Sequence, residues 1–143
     1  MFVVGIDENG LGPRLGPLVA TAATIEVDAY DAAKWRALGV SLGLGDSKQT
    51  GAFGRMGGIE SVALALAERA FGRPVTTPDE LLDAISIDGR LSLRARCPTD
   101  ATAQQCWSEP LSLPTYGGDP AHGREVLARL AKGGVRVTRV RTS

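Results

Sequence analysis

Apolar and polar positions along this chain fall into short segments whose spacing predicts their structure. Phe2-Val3-Val4-Gly5-Ile6 is an apolar run rich in β-branched residues, too short for a helix, and it predicts a buried, central strand from Phe2 to Asp7. Leu18 to Val27 is small and β-branched and predicts a second strand returning antiparallel beside the first. Asp28 to Leu38 has only a narrow apolar stripe and reads as a weak surface helix, ended by Gly39 to Gly45. Met56, Ile59, Ala63, Leu66 and Ala70 recur at three- and four-residue spacing, the clearest amphipathic pattern in the chain. This predicts a helix from Gly58 to Ala70 packed on the sheet. Glycines at 51, 54, 57 and 58 weaken its beginning, each costing about 1 kcal/mol relative to alanine inside a helix.

Further along, Thr77-Pro78-Asp79-Glu80 is a start signal, with threonine as N-cap, proline at the first helical position and glutamate at the capping-box position. Asp88-Gly89 marks a turn, and Leu91 to Arg96 reads as a short strand or as an extension of the helical region. Pro98 to Gly118 reads as an irregular loop in which Trp107 packs on the core rather than stacking on a base. Asp119-Pro120 opens a last helix, with Val126, Leu127, Leu130 and Ala131 on one face and Gly133-Gly134 as its stop. Val135 to Val140 then reads as a strand.

Composition narrows the class. With 143 residues, 43% of them hydrophobic, the chain suits one domain around a single core. Sixteen basic residues balance sixteen acidic ones, so any nucleic-acid partner must be held by a local patch. Arg136, Arg139 and Arg141 form one basic stretch without a nearby acid in sequence, and Lys34, Arg36 and Lys48 flank the glycine-rich middle. Both are read as solvated faces. Cys97 and Cys106 are too few for a disulfide scaffold, and no signal peptide or long apolar segment is present, so a cytoplasmic protein without a membrane partner is expected. His122, at the expected start of a helix, is read as a surface residue.

The candidate chemistry lies near the start. Asp7 and Glu8 stand where the first strand ends, and glycines at 10, 12 and 16 with prolines at 13 and 17 force a loop that exposes backbone amides. Alternation puts adjacent strand residues on opposite faces, so the two carboxylates share a metal only if the strand twists or stops at Asn9-Gly10. Asp46-Ser47-Lys48 offers an acceptor, a hydroxyl and an ammonium in sequence, at a place where Asp46 or Ser47 is equally explained as an N-cap. Asp79 and Glu80 are explained as cap residues.

These motifs resemble those of the type 2 ribonucleases H. In that family an apolar first strand runs into Asp-Glu-Ala-Gly-Arg-Gly-Pro, a Gly-Pro and a small-residue strand follow, and an Asp-Ser-Lys comes next. Here the matching stretches are Gly5 to Pro13, Gly16 to Ala20 and Asp46-Ser47-Lys48, in that order, within the first third of the chain. The resemblance implies an α/β fold with an RNase H-like mixed β-sheet flanked by helices. It implies a metal-dependent endonuclease that hydrolyses the RNA strand of RNA–DNA hybrids or cuts at embedded ribonucleotides. Asp7 and Glu8 would be the first two ligands of Mg²⁺ or Mn²⁺. Gly10, Leu11 and Gly12 would occupy the loop whose backbone senses the 2′-hydroxyl, and Asp46, Ser47 and Lys48 would join substrate binding, Lys48 at a phosphate.

Departures from the pattern accompany the matches. Asn9 stands for the usual alanine and Leu11 for an arginine, which removes one cationic contact to nucleic acid. The family draws two further aspartates from later in its fold, the first on a strand following a helix, and Val135 to Val140 carries none. Asp88, Asp100 and Asp119 have structural explanations at a turn, a loop and a cap. The expectation is therefore a divergent relative, a single domain over 1–143 lacking the family's C-terminal part. The alternative is a catalytically incomplete nucleic-acid-binding module with the same fold.

Overall fold

In the computed structural model, the described residues are 1–8, 20–46, 54–89 and 111–143. Seven elements occupy them in the order β1 (Phe2–Glu8), β2 (Ala20–Val27), α1 (Ala32–Ser41), α2 (Met56–Phe71), α3 (Pro78–Ile85), α4 (Pro120–Lys132) and β3 (Val135–Thr142). The three strands form one antiparallel sheet in the order β1-β2-β3, so helices and a small sheet combine in an α/β arrangement.

β1 and β2 pair from Phe2 opposite Glu26 to Glu8 opposite Ala20, as their β-branched and small residues predict. The predicted centre is corrected. β2 lies between the other two strands, and β1 is an edge of the described sheet. β1 is also not a buried strand: Phe2, Val4 and Ile6, which alternate onto one face, are 67%, 56% and 72% exposed. The helices explain this, because α2, α3 and α4 all pack against β3, on the far side of β2 from β1. Val27, Val135 and Thr142 are accordingly buried. β3 runs two residues beyond the predicted Val140 and departs from regular register opposite Thr24 and Ile25.

α1 starts later than predicted because Asp31, not Asp28, is its N-cap: the Asp31 carboxylate accepts from the Lys34 N–H at 2.9 Å. It also runs through Gly39 and stops at Leu42, where Gly43 takes the left-handed conformation (φ +73°). α2 begins at Met56, two residues before the predicted start, with no side-chain cap at Arg55. Its buried residues are Ser61, Leu64, Ala65 and Ala67 rather than the predicted stripe, of which Ala63 and Ala70 are exposed. The reason is its neighbours. α2 packs chiefly along α4 and then α3, touching the sheet at β3, so its buried face is the one that suits close helix approach.

α3 and α4 start as predicted. Thr77 Oγ1 accepts from the Glu80 N–H at 3.3 Å, and the Asp119 carboxylate accepts from the Ala121 N–H at 2.8 Å. Glu80 bonds one residue upstream of a regular capping box, accepting from the N–H and hydroxyl of Thr76 at 2.8 and 2.9 Å. Two apolar clusters form the core. Leu42, Val126 and Leu130 join α1 to α4 with Val62 of α2, and Ala67, Val75 and Ala84 join α2 to α3 with Leu113. The predicted face of α4 is thus the observed one. No helix among the described residues is long and apolar enough to cross a membrane. The expected segment Leu91 to Arg96, and Cys97, Cys106 and Trp107, lie outside the described residues.

Candidate metal site at one end of the sheet

Asp7 and Glu8 are the last two residues of β1, and both are exposed. The ladder stays regular to the end, with Asp7 opposite Thr21 and Glu8 opposite Ala20. Alternation therefore puts the two carboxylates on opposite faces of the strand's end. Asp7 Oδ1 also accepts from the Glu8 N–H at 3.0 Å, which ties its carboxylate to the backbone.

Two rows of residues cross the sheet at this end. The first runs from Asp7 through Thr21 and Thr142 to Ser86, which bridges Thr142 in parallel. Its hydroxyls are linked: Thr21 Oγ1 lies 3.2 Å from Thr142 Oγ1, and Thr142 donates to the Ala20 carbonyl at 3.1 Å. Ser86 Oγ is buried, with no hydrogen-bond partner among the described residues. The second row runs from Glu8 through Ala20 to Ser143, joined by mutual backbone bonds of 2.9 and 3.0 Å, and ends where the Ser143 hydroxyl donates to Asp88 at 2.8 Å.

Asp88 thus reaches the same end of the sheet as the two acids, but at the opposite edge. Three strand spacings separate it from β1, about 14 Å, so it shares no ion with Asp7. The chain bends at Ile87 and Asp88, where a turn is predicted, and Gly89 takes the left-handed conformation (φ +77°). Asp119 is held as the α4 cap. Asp46 is exposed. Gly10, Leu11, Gly12, Ser47, Lys48 and Asp100 lie outside the described residues. Among the described residues, no group of three or more His, Cys, Asp or Glu side chains is placed to hold a metal ion.

The basic stretch of β3 is less free than its sequence implies. Arg136 meets Glu26 at 3.2 Å and Asp28 at 3.5 Å, acids brought in by the β2 pairing, and Arg141 donates to the Ala84 carbonyl at 3.0 Å. His122 is exposed in the first turn of α4, as read from the sequence.

One element escaped the sequence reading. Thr21 and Thr142 look like ordinary strand residues, and only the register of three strands puts their hydroxyls in line with Asp7. Comparison of the chain with protein-family models, with curated proteins and with solved structures returns no match.

Proposed function

We propose that the chain is a metal-dependent endonuclease of the type 2 ribonuclease H kind, hydrolysing the RNA strand of RNA–DNA hybrids or cutting at embedded ribonucleotides. The observation that carries this reading is the adjacent, exposed pair Asp7 and Glu8 at the end of a strand that pairs antiparallel with β2, in sequence just before the Gly10-Leu11-Gly12-Pro13 stretch. Carboxylate and hydroxyl oxygens are hard donors and fit Mg²⁺ or Mn²⁺. With the ladder regular to Glu8, the two carboxylates face opposite ways, so both would hold one metal centre only where the chain turns after Glu8. Such ions, when bound, activate the attacking water and stabilise the leaving oxygen. The protein's own part is to orient them through Asp7, whose carboxylate is held by the Glu8 N–H, to meet the 2′-hydroxyl with amides of Gly10 to Gly12, and to place Lys48 at a phosphate. The RNase H-like form of the α/β fold and a cytoplasmic site of action belong to the same proposal.

A second reading, the catalytically incomplete nucleic-acid-binding module, is favoured by one observation. Among the described residues no third carboxylate comes to Asp7 and Glu8: β3 carries no acid, Asp88 lies across the sheet, and Asp119 caps a helix. A two-metal site must balance about four positive charges, so two carboxylates predict slow turnover.

The experiment is a gel assay on a duplex with one embedded ribonucleotide, with Mg²⁺ and with Mn²⁺, beside a binding titration of the same duplex. Multiple-turnover cleavage that is lost in Asp7→Asn supports the enzyme. Tight, ribonucleotide-dependent binding without cleavage supports the module. Neither cleavage nor binding overturns both.

A further inference from the structure

The outer edge of β1 has a definite hydrogen-bonding phase. Met1 and Val27 exchange both backbone bonds, at 2.6 and 2.9 Å, so Met1, Val3, Gly5 and Asp7 turn their N–H and C=O groups toward β2. Phe2, Val4, Ile6 and Glu8 turn theirs away. The far end of the ladder agrees, because Ala20, opposite Glu8, exchanges its backbone bonds with Ser143 instead. One of the four outward donors is already taken: the Glu8 N–H is held by Asp7 Oδ1 at 3.0 Å. That leaves Phe2, Val4 and Ile6, evenly spaced about Val4, facing outward from an edge that no described strand covers. Their side chains share one exposed face. Strand edges are ordinarily blunted by lysine, proline or a bulge; Phe2 to Ile6 has neither residue, and the irregular register lies between β2 and β3.

We propose that this edge pairs antiparallel with the same edge of a second copy of the chain, about a two-fold axis through Val4. In this register Val4 faces Val4, and Phe2 faces Ile6 of the second copy, as hydrogen-bonded pairs that use the outward groups of all three residues. Glu8, whose donor is spent, is left out. Sliding the second copy by one such pair would instead oppose Phe2 with Glu8, an apolar ring with a carboxylate. On the other face Val3 stands beside Gly5 of the second copy, where a Cβ would meet nothing within 4 Å in the described protein. Charge fits as well. Asp7 comes beside Met1 of the second copy, which carries an ammonium, while the two Asp7 residues stand about 20 Å apart. α2, α3 and α4 pack against β3, so they do not crowd this edge. The strand's own sequence meets each condition, which makes a second copy the occupant rather than an unrelated strand. An interface one strand wide is small for specific association, so a dissociation constant of roughly 1–100 µM is expected. No metal or nuclease reading enters this inference.

The test is sedimentation velocity of the full chain in reducing buffer, from about 1 µM to about 1 mM, with folding followed by circular dichroism. A reversible monomer–dimer equilibrium is expected. Val4→Pro removes an N–H that the β1–β2 ladder does not use, and proline is accepted at such edge positions, so the dimer is expected to weaken about 10-fold or more. Val4→Lys sets two ammonium groups opposite each other on the axis and is expected to weaken it similarly. The register is read by cross-linking in a chain carrying Cys97→Ser and Cys106→Ser. Val4→Cys then faces its own copy at about 5.5 Å between Cα atoms, within disulfide reach, and is expected to cross-link on oxidation. Phe2→Cys, about 14 Å from its own copy, is expected not to. A monomer throughout the concentration range overturns the proposal. A dimer of parental affinity in both Val4→Pro and Val4→Lys places the contact elsewhere and overturns it too. If Val4→Pro does not fold, Val4→Lys decides, and parental affinity there is fatal. Equal cross-linking of Val4→Cys and Phe2→Cys overturns the pairing about Val4.

Discussion

The carboxylate of Glu60 accepts the backbone N–H of Tyr116 at 2.8 Å, joining positions 56 apart in the chain. The same carboxylate takes the N–H groups of Thr115 and Gly118, so three backbone N–H groups end on one side chain of α2. Ser61 continues the clamp, accepting from the Asp119 N–H at 2.8 Å while its own proton goes to the Gly57 carbonyl at 2.7 Å. The loop before α4 is thereby tied to α2. Charge-assisted bonds of this kind are worth about 1.5–3 kcal/mol when buried, less where water can replace them. Glu60→Ala is expected to lower unfolding free energy by about 2 kcal/mol, read from the urea midpoint. No change in the midpoint would show that solvent satisfies these amides equally well.

The same helix pair makes a sharp prediction about glycine. A Cβ on Gly123 of α4 would stand 2.0 Å from the Ser61 carbonyl oxygen and 2.6 Å from its carbon, both backbone atoms that cannot step aside. Gly123→Ala is expected to cost about 3 kcal/mol or more, despite alanine's better helix propensity, because α2 and α4 must separate. Gly58 of α2 is the control. A Cβ there meets nothing within 4 Å, so Gly58→Ala is expected to gain about 0.5–1 kcal/mol. Thermal melts of the two variants should move in opposite directions.

Glu80 makes the acid limb of stability specific. The Thr76 N–H, then the Arg73 guanidinium at 2.6 Å and the Thr76 hydroxyl, hold its carboxyl down from 4.5 to about 2. A carboxyl with a depressed folded-state pKa adds stability above its unfolded value and loses it as pH falls through the folded one. The contribution of Glu80 is therefore complete above about pH 4.5 and fades toward pH 2. Glu80→Gln is expected to flatten this part of a plot of melting temperature against pH, and an unaltered acid limb would show that other carboxyls dominate it.

Asp119 separates a structural from a catalytic acid. Its carboxylate caps α4 through the Ala121 N–H, a role asparagine fills nearly as well and alanine does not. Asp119→Asn is expected to keep the parental melting temperature and Mn²⁺ affinity, whereas Asp119→Ala is expected to lose about 1 kcal/mol of stability. Loss of Mn²⁺ binding in Asp119→Asn would make this residue a ligand and refute the cap as its whole role.

Local signals in the chain determined much of this architecture. Thr77 and Asp119 announced the starts of α3 and α4, because an N-cap needs only a side-chain oxygen two or three residues before an orphan N–H. The β-branched runs announced β1, β2 and β3, and the acids at positions 7 and 8 announced the candidate site. Tertiary structure decided what these elements face. Periodicity gave α2 the wrong buried stripe, since Ser61 and Gly123 are neither apolar nor periodic, yet their small size lets two helices meet. Nothing local told that β1 is an edge of the described sheet: an apolar run carries no record of which strand receives helices, and here β3 does. The alignment of Thr21 and Thr142 with Asp7 is likewise a product of register, the sum of two strand pairings between residues up to 121 positions apart. Sequence determines the bonds a residue can make with its near neighbours, and only the folded chain determines which distant residue stands opposite.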